Sequence, residues 1–286
     1  QSLFGIGLVP TAEDLGSQSA QPEHPAVLDL LAWRFSHPVA DGGFGWDTKR
    51  LVKEIMRSRV YRQRSIGDAR VMADDPLNHW LARGPRHRLP GEMIRDGILA
   101  ASGLLVDIRG GPPVKTYDMP ESFKPADPDT GDALYRRSLY TFWRRTGPAP
   151  VLETFDVPKR VVCVARRDVT NTPLHALVLL NGPQFIEAAR VMAETLLVEH
   201  GGRADAAVAA AFERLTSRTP DAAERAILAR MHAEQVDWYR DRPDDAARLL
   251  AIGATTPRAG LDPVDVAAAA GVVNTLMNYD GYVVKR

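Results

Sequence analysis

The chain has 286 residues, enough for one or two domains with a sizeable core. Apolar residues make up 45% and charged residues 25%, which is globular composition and excludes a wholly disordered chain. Lys+Arg and Asp+Glu both number 36, so a globally basic nucleic-acid binder is excluded. No stretch approaches the roughly 20 apolar residues of a membrane span.

Cys163 is the single cysteine, which rules out an intrachain disulfide, a CxxC metal knuckle and a CxxCH haem-attachment site. The chain begins at Gln1 without a leader pattern and reads as a processed product or a fragment. Only six of the 36 cations are lysine, leaving 30 arginines. The guanidinium fork tolerates burial opposite carboxylates, so this inventory points either to internal ion-pair networks or to compositional bias.

In chain order, residues 1–23 read as an extended lead-in rich in Gly, Ser, Gln and Pro. A short helix is expected over 24–35, with Pro25 in its first turn. Asp47 caps a second helix to about Arg57 that should bury Leu51, Val52, Ile55 and Met56. Residues 58–88 are basic and loop-like, with a short helix from Asp75-Pro76 through Trp80. Pro90 opens a further helix that Gly103 closes. Residues 109–132, with five prolines, form the longest irregular stretch and the best candidate for a functional loop. The segments 138–143 (SLYTFW) and 161–165 (VVCVA) read as short strands.

From Thr172 onward the pattern is helical. Pro183 opens the most periodic segment, with Phe185, Ile186, Ala189, Met192, Ala193, Leu196 and Leu197 on one stripe. Further helices are expected over about 204–216, 220–240, 243–252 and 263–278. The connections are short, as between antiparallel bundle neighbours. The predicted fold is therefore mainly α: a helical bundle in the C-terminal half, and an irregular Arg-rich N-terminal half with a small β element. It is expected to form one compact domain over 1–286, with sub-regions 1–170 and 171–286.

Several constellations carry candidate chemistry. Glu92 and Asp96 stand at i, i+4 on one helix face, the arrangement of a general acid and base. Like charges at that spacing repel, so facing arginines are expected, and an Arg–carboxylate lattice is the leading reading of the pair. The doublets Arg136-Arg137, Arg144-Arg145 and Arg166-Arg167 flank the strand candidates, so one arginine of each could line an anion pocket while its neighbour points away. Pairing with Asp156, Asp168, Glu92 or Asp96 is the structural alternative. Cys163 in an apolar run reads as a buried small hydrophobe. Core packing is expected for each tryptophan, although an exposed Trp46, Trp80 or Trp143 near the 109–132 loop would suit a stacked sugar ring. No HxxxH or HExxH spacing, phosphate loop or GxSxG elbow occurs.

Longer motifs carry a family likeness. FGIGLVPTAEDLG (4–16), WDTKRLVKEIMRSRVYRQRS (46–65), DDPLNHWLARGPRHRLPGEMIRDGILAASGLL (74–105), LYRRSLYTFWRRTGPAP (134–150) and FDVPKRVVCVARRDVTNTPLHALVLLNGPQFIEAAR (155–190) are among them. With them the chain resembles the C-terminal domain of the planctomycete cytochrome-c-type multidomain proteins, whose molecular function is not established. The resemblance implies an exported setting, a preceding helical domain, and haem c only in an N-terminal domain outside this chain. It implies no cofactor within the chain. As partners it implies the preceding domain of the same polypeptide and an exported sulfatase-like protein, with no nucleic acid. Residues 117–132 look shorter than the family's usual loop. The leading expectation is a structural or interaction domain. The alternatives are an enzyme acting on anionic polysaccharide through Glu92 and Asp96, with Arg136, Arg137 or Arg167 holding the anion, and a glycan- or anion-binding module that also uses Trp143.

Overall fold

The computed structural model describes residues 1–117, 127–144 and 147–285, and the backbone of 120–121 and 124–125. Its first helices are α1 (Pro25–Ser36), α2 (Thr48–Arg57), α3 (Ala69–Asp74), α4 (Gly91–Ser102) and α5 (Pro150–Thr154). Then follow α6 (Pro173–Asn181), α7 (Pro183–Glu199), α8 (Ala204–Thr216), α9 (Ala222–Arg240), α10 (Pro243–Leu250), α11 (Pro263–Met277) and α12 (Asp280–Val283). The strands are β1 (His87–Arg88), β2 (Pro120–Glu121), β3 (Lys124–Pro125) and β4 (Val284–Lys285). β1 pairs antiparallel with β4, and β2 with β3. The fold is mainly α, with only these small sheets among the described residues.

The chain separates into two compact units. One comprises residues 1–88, 164–166 and the last residues from Val284; the other comprises 89–163 and 167–283.

In the larger unit, α11 packs against α7, α8, α9 and α10. It is buried nearly all round, because Val-Ala-Ala-Ala-Ala-Gly at 266–271 keeps its surface small enough for close helix approach. Asp262 caps it by accepting from the Val264 and Asp265 amides. The stripe read on α7 is its core face. Phe185, Ala189, Met192, Ala193, Leu196 and Leu197 are buried, and Ile186 is half-buried. α4 contributes Ile94 and Ile98 to the same core. Its C-terminus is closed by Gly103, which takes the left-handed conformation (φ 83°) that a side chain would resist.

The smaller unit is built differently. Among the described residues, Phe44 and Pro85 are its buried apolar side chains. α2 starts at the expected cap, where the Asp47 carboxylate accepts from the Arg50 amide. The expected burial does not follow: Leu51 and Ile55 are half-buried, while Val52 and Met56 are exposed.

Three local expectations are corrected. Residues 76–80 form turns and not a helix, because the Asp75 carboxylate captures the amides of His79 and Trp80 (both 2.8 Å). Asn78 and Leu81 then take left-handed conformations incompatible with a helix. The helix of this region lies earlier, as α3, capped by Asp68. Residues 138–143 open with a short 3-10 turn (Ser138–Tyr140) before Thr141 bridges Val114. The cause is Asp96, which holds both the Ser138 amide (2.8 Å) and hydroxyl (2.6 Å). Residues 161–165 form no strand, and Cys163 is exposed rather than buried.

Candidate functional site

The candidate residues gather around α4. Its N-terminal Gly91 lies against Phe155 and Val157, where an added Cβ would come within 2.6 Å of the Phe155 Cβ. That close approach sets the helix in place and fixes the directions of Glu92, Arg95 and Asp96.

Arg95 is the buried centre of this region. Its Nε donates to Gln184 Oε1 (2.9 Å), Nη1 to the Arg136 carbonyl (2.9 Å) and to Ser138 Oγ (3.3 Å), and Nη2 to the Leu134 carbonyl (2.8 Å). Burial pushes this guanidinium down to about 10, partly opposed by the Asp96 carboxylate 3.6 Å away, so it stays charged at neutral pH.

Arg136 is also buried. It donates to the carbonyls of Pro112 (3.0 Å), Ile108 (3.1 Å) and Gly110, and lies over the Tyr140 ring at 4.1 Å. Its neighbour Arg137 points the other way, to Asp107 Oδ1 at 2.8 Å. This hydrogen bond holds the Asp107 carboxyl below its usual range.

The doublet therefore does separate its two side chains, but the inward one meets backbone carbonyls instead of an anion. The physical reason lies in the described residues 104–117 and 127–142, where regular structure is sparse and many carbonyls lack a helix or sheet partner. A guanidinium offers five donors in one plane and serves several such carbonyls at once.

Glu92 and Asp96 are engaged by different partners. Arg167 Nη1 reaches both Glu92 oxygens, at 3.0 and 2.8 Å. Asp96 Oδ1 is taken by Ser138. Arg166 lies 4.0 Å from Glu13. Arg144 is half-buried, and Arg145 lies outside the described residues. Trp143 is half-buried; its indole N–H donates to the Lys159 carbonyl (3.1 Å), and the Arg160 guanidinium stands 5.1 Å from its ring centre. Trp33, Trp46, Trp80 and Trp238 are exposed, which corrects the expectation of core packing. Among the described residues, no group of three or more His, Cys, Asp and Glu is placed to hold a metal ion.

A second polar centre lies on α7. Glu187 is fully buried and accepts five hydrogen bonds. Oε1 takes Tyr135 Oη (2.9 Å), the amides of Ala254 (2.8 Å) and Thr255 (2.7 Å), and Thr255 Oγ1 (2.8 Å). Oε2 takes Tyr117 Oη (2.9 Å). Burial and the adjacent carboxylate raise both phenols, that of Tyr117 to about 12. One turn on, Arg190 donates to Glu194 (2.9 Å) and to the Thr255 carbonyl and hydroxyl (both 2.7 Å). Gly253 (φ 103°) is required here, since a Cβ would sit 2.5 Å from the Glu187 carboxyl carbon.

The family model described as "PSD1: Protein of unknown function (DUF1553)" matches residues 1–232. The chain belongs to this family. No curated protein and no solved structure matches it. The PSD1 match spans every residue discussed around α4, together with Tyr117, Tyr135 and Glu187, and ends inside α9. Thr255 and the central helix α11 lie beyond it. Within this PSD1 chain, Glu187, Arg190 and Glu194 were not singled out by sequence reasoning. Their signal is a second, polar row at i, i+3, i+7 on a helix already read as amphipathic, and such a row normally marks the solvent face.

Proposed function

We propose that this PSD1 chain is a non-catalytic interaction domain of an exported, haem-c-associated multidomain protein of the planctomycete cytochrome-c type. Its partner is the domain that precedes it in the longer polypeptide. The observation that carries this reading is α1, a twelve-residue helix that buries none of its residues. Val27, Leu30 and Trp33, at i, i+3 and i+6, form one exposed apolar stripe along it. An apolar helix face left uncovered marks an interaction surface. The rival acid–base reading lacks a comparable observation, because Glu92 is chelated by Arg167 and Asp96 is engaged by Ser138.

The test adds the preceding domain in trans and titrates it calorimetrically against this chain. Saturable binding that Leu30→Asp and Trp33→Asp each weaken is expected. Binding indifferent to both substitutions, or no binding, overturns the proposal.

A further inference from the structure

The smaller unit carries 15 Lys and Arg against 10 Asp and Glu, a net +5, so the remainder of this neutral chain carries −5. Much of the excess lies on α2, where Lys49, Arg50, Lys53 and Arg57 meet a single acid, Glu54.

The helix sorts these residues by face. Arg50 and Glu54 are occupied at one edge: Arg50 lies over the Phe44 ring at 4.9 Å, and Glu54 binds Arg34 at 2.8 Å. Leu51 and Ile55 turn partly inward. The outward surface holds two adjacent rows. Lys49, Lys53 and Arg57 recur every four residues, exposed, and none forms an ion pair among the described residues. Val52 and Met56 form the neighbouring row, 37% and 45% exposed.

Trp46 directly precedes the Asp47 cap at the N-terminal end of α2. Its φ of 64° is strained for a bulky side chain. The loop nevertheless holds it there: its amide donates to the Phe35 carbonyl (2.8 Å), the Gly45 amide donates to the His37 carbonyl (2.8 Å), and Phe35 meets the indole edge-on at 5.0 Å. The ring remains 66% exposed.

A row of long cations beside an apolar row, with tryptophan at one end, is the pattern of a helix lying in a membrane interface. We infer that α2 docks flat on an anionic lipid surface. Trp46, Val52 and Met56 enter the boundary between headgroups and acyl chains, and Lys49, Lys53 and Arg57 meet lipid phosphates. A protein partner is the weaker match, because lysine is depleted from protein interfaces and two aliphatic side chains make a small anchor. A soluble polyanion would make no use of the apolar row. This docking is independent of the α1 stripe and needs no spanning segment; no helix among the described residues is long and apolar enough to cross a membrane.

The experiment is co-sedimentation of the full chain with phosphatidylcholine vesicles, pure or mixed with phosphatidylglycerol. Binding to the mixed vesicles only, weakened by salt, is expected. The double substitution Lys49→Gln, Lys53→Gln lowers the partition coefficient about 30-fold, since each such cation near an anionic surface contributes about 1 kcal/mol. Val52→Ser with Met56→Ser weakens vesicle binding and leaves binding to dextran sulfate unchanged; circular dichroism confirms that both variants are folded. Leu30→Asp retains vesicle binding. Equal binding to both vesicle types, or a lysine variant that binds like wild type, overturns the inference. So does a Val52/Met56 variant that binds vesicles fully, since the surface is then read by charge alone.

Discussion

Replacing Glu187 by glutamine tests whether one buried carboxylate fastens the loop after α10 to α7. The substitution preserves shape but removes the charge and turns an NH2 group toward one set of donors. With the amide oxygen at the Oε1 position, Tyr135, Ala254 and both Thr255 donors keep a partner, while Tyr117 Oη faces a donor and loses its bond. A hydrogen bond to a charged group is worth about 1.5–3 kcal/mol and a neutral one about 0.5–1.5 kcal/mol. Each of the three loop bonds weakens by about 1 kcal/mol, but they crowd on one oxygen and their losses are less than additive. The loop therefore bears about 2 kcal/mol, apart from about 1.5–3 kcal/mol for the lost Tyr117 bond. Arg258 lies in that loop, its amide 3.3 Å from Glu194, and offers a tryptic site. Cleavage there proceeds through local opening, so about 2 kcal/mol predicts cleavage about 30-fold faster in Glu187→Gln than in wild type, read by mass spectrometry under native conditions. An unchanged rate at Arg258 in a folded variant would refute the fastening role.

Arg95→Met strands the carbonyls of Leu134 and Arg136 and the Gln184 side chain, and should cost about 3 kcal/mol or more in urea unfolding; a loss below about 1 kcal/mol contradicts the hub described for it. Glu92→Gln and Arg167→Gln break a partly exposed ion pair, and a double-mutant cycle should give a coupling below about 1 kcal/mol. Glu224 is held down to about 2, mainly by its hydrogen bond from Arg218, against an ordinary value of 4.5. A depressed carboxyl contributes stability above pH 4.5 that is lost as the pH falls toward 2. Arg218→Gln should therefore lower the neutral-to-alkaline plateau without changing its slope, and flatten the acid limb of the stability profile; an acid limb identical to wild type would sink that assignment.

The helical half was legible because its punctuation is local. Thr172-Pro173, Pro183, Asp262-Pro263 and the glycines at 201–202 set helix ends that tertiary contacts did not override. The front half was read less well because its contacts are non-local. Nothing near 138–143 announces that Asp96 will seize Ser138, and nothing in VVCVA says that no strand will come to pair with it. The expected lattice of arginine and carboxylate was right in placing guanidinium groups inside. It misjudged their partners, which for Arg83, Arg95 and Arg136 are chiefly main-chain oxygens. A carbonyl left without a regular partner leaves no mark in sequence, so no residue pattern could reveal that demand. Glu187 escaped for the complementary reason: its donors come from loops far along the chain.

The pairing of β1 with β4 joins His87 to Lys285 and Arg88 to Val284. A ribosome therefore finishes one edge of this ladder early and supplies the other only at the end of the described chain. Until then the front unit emerges with its first strand unpaired and, among its described residues, only Phe44 and Pro85 as buried apolar side chains. Completion of that unit accordingly waits until the bundle has been made. A nascent chain stalled short of Val284 should show a protected bundle and an open, protease-sensitive front.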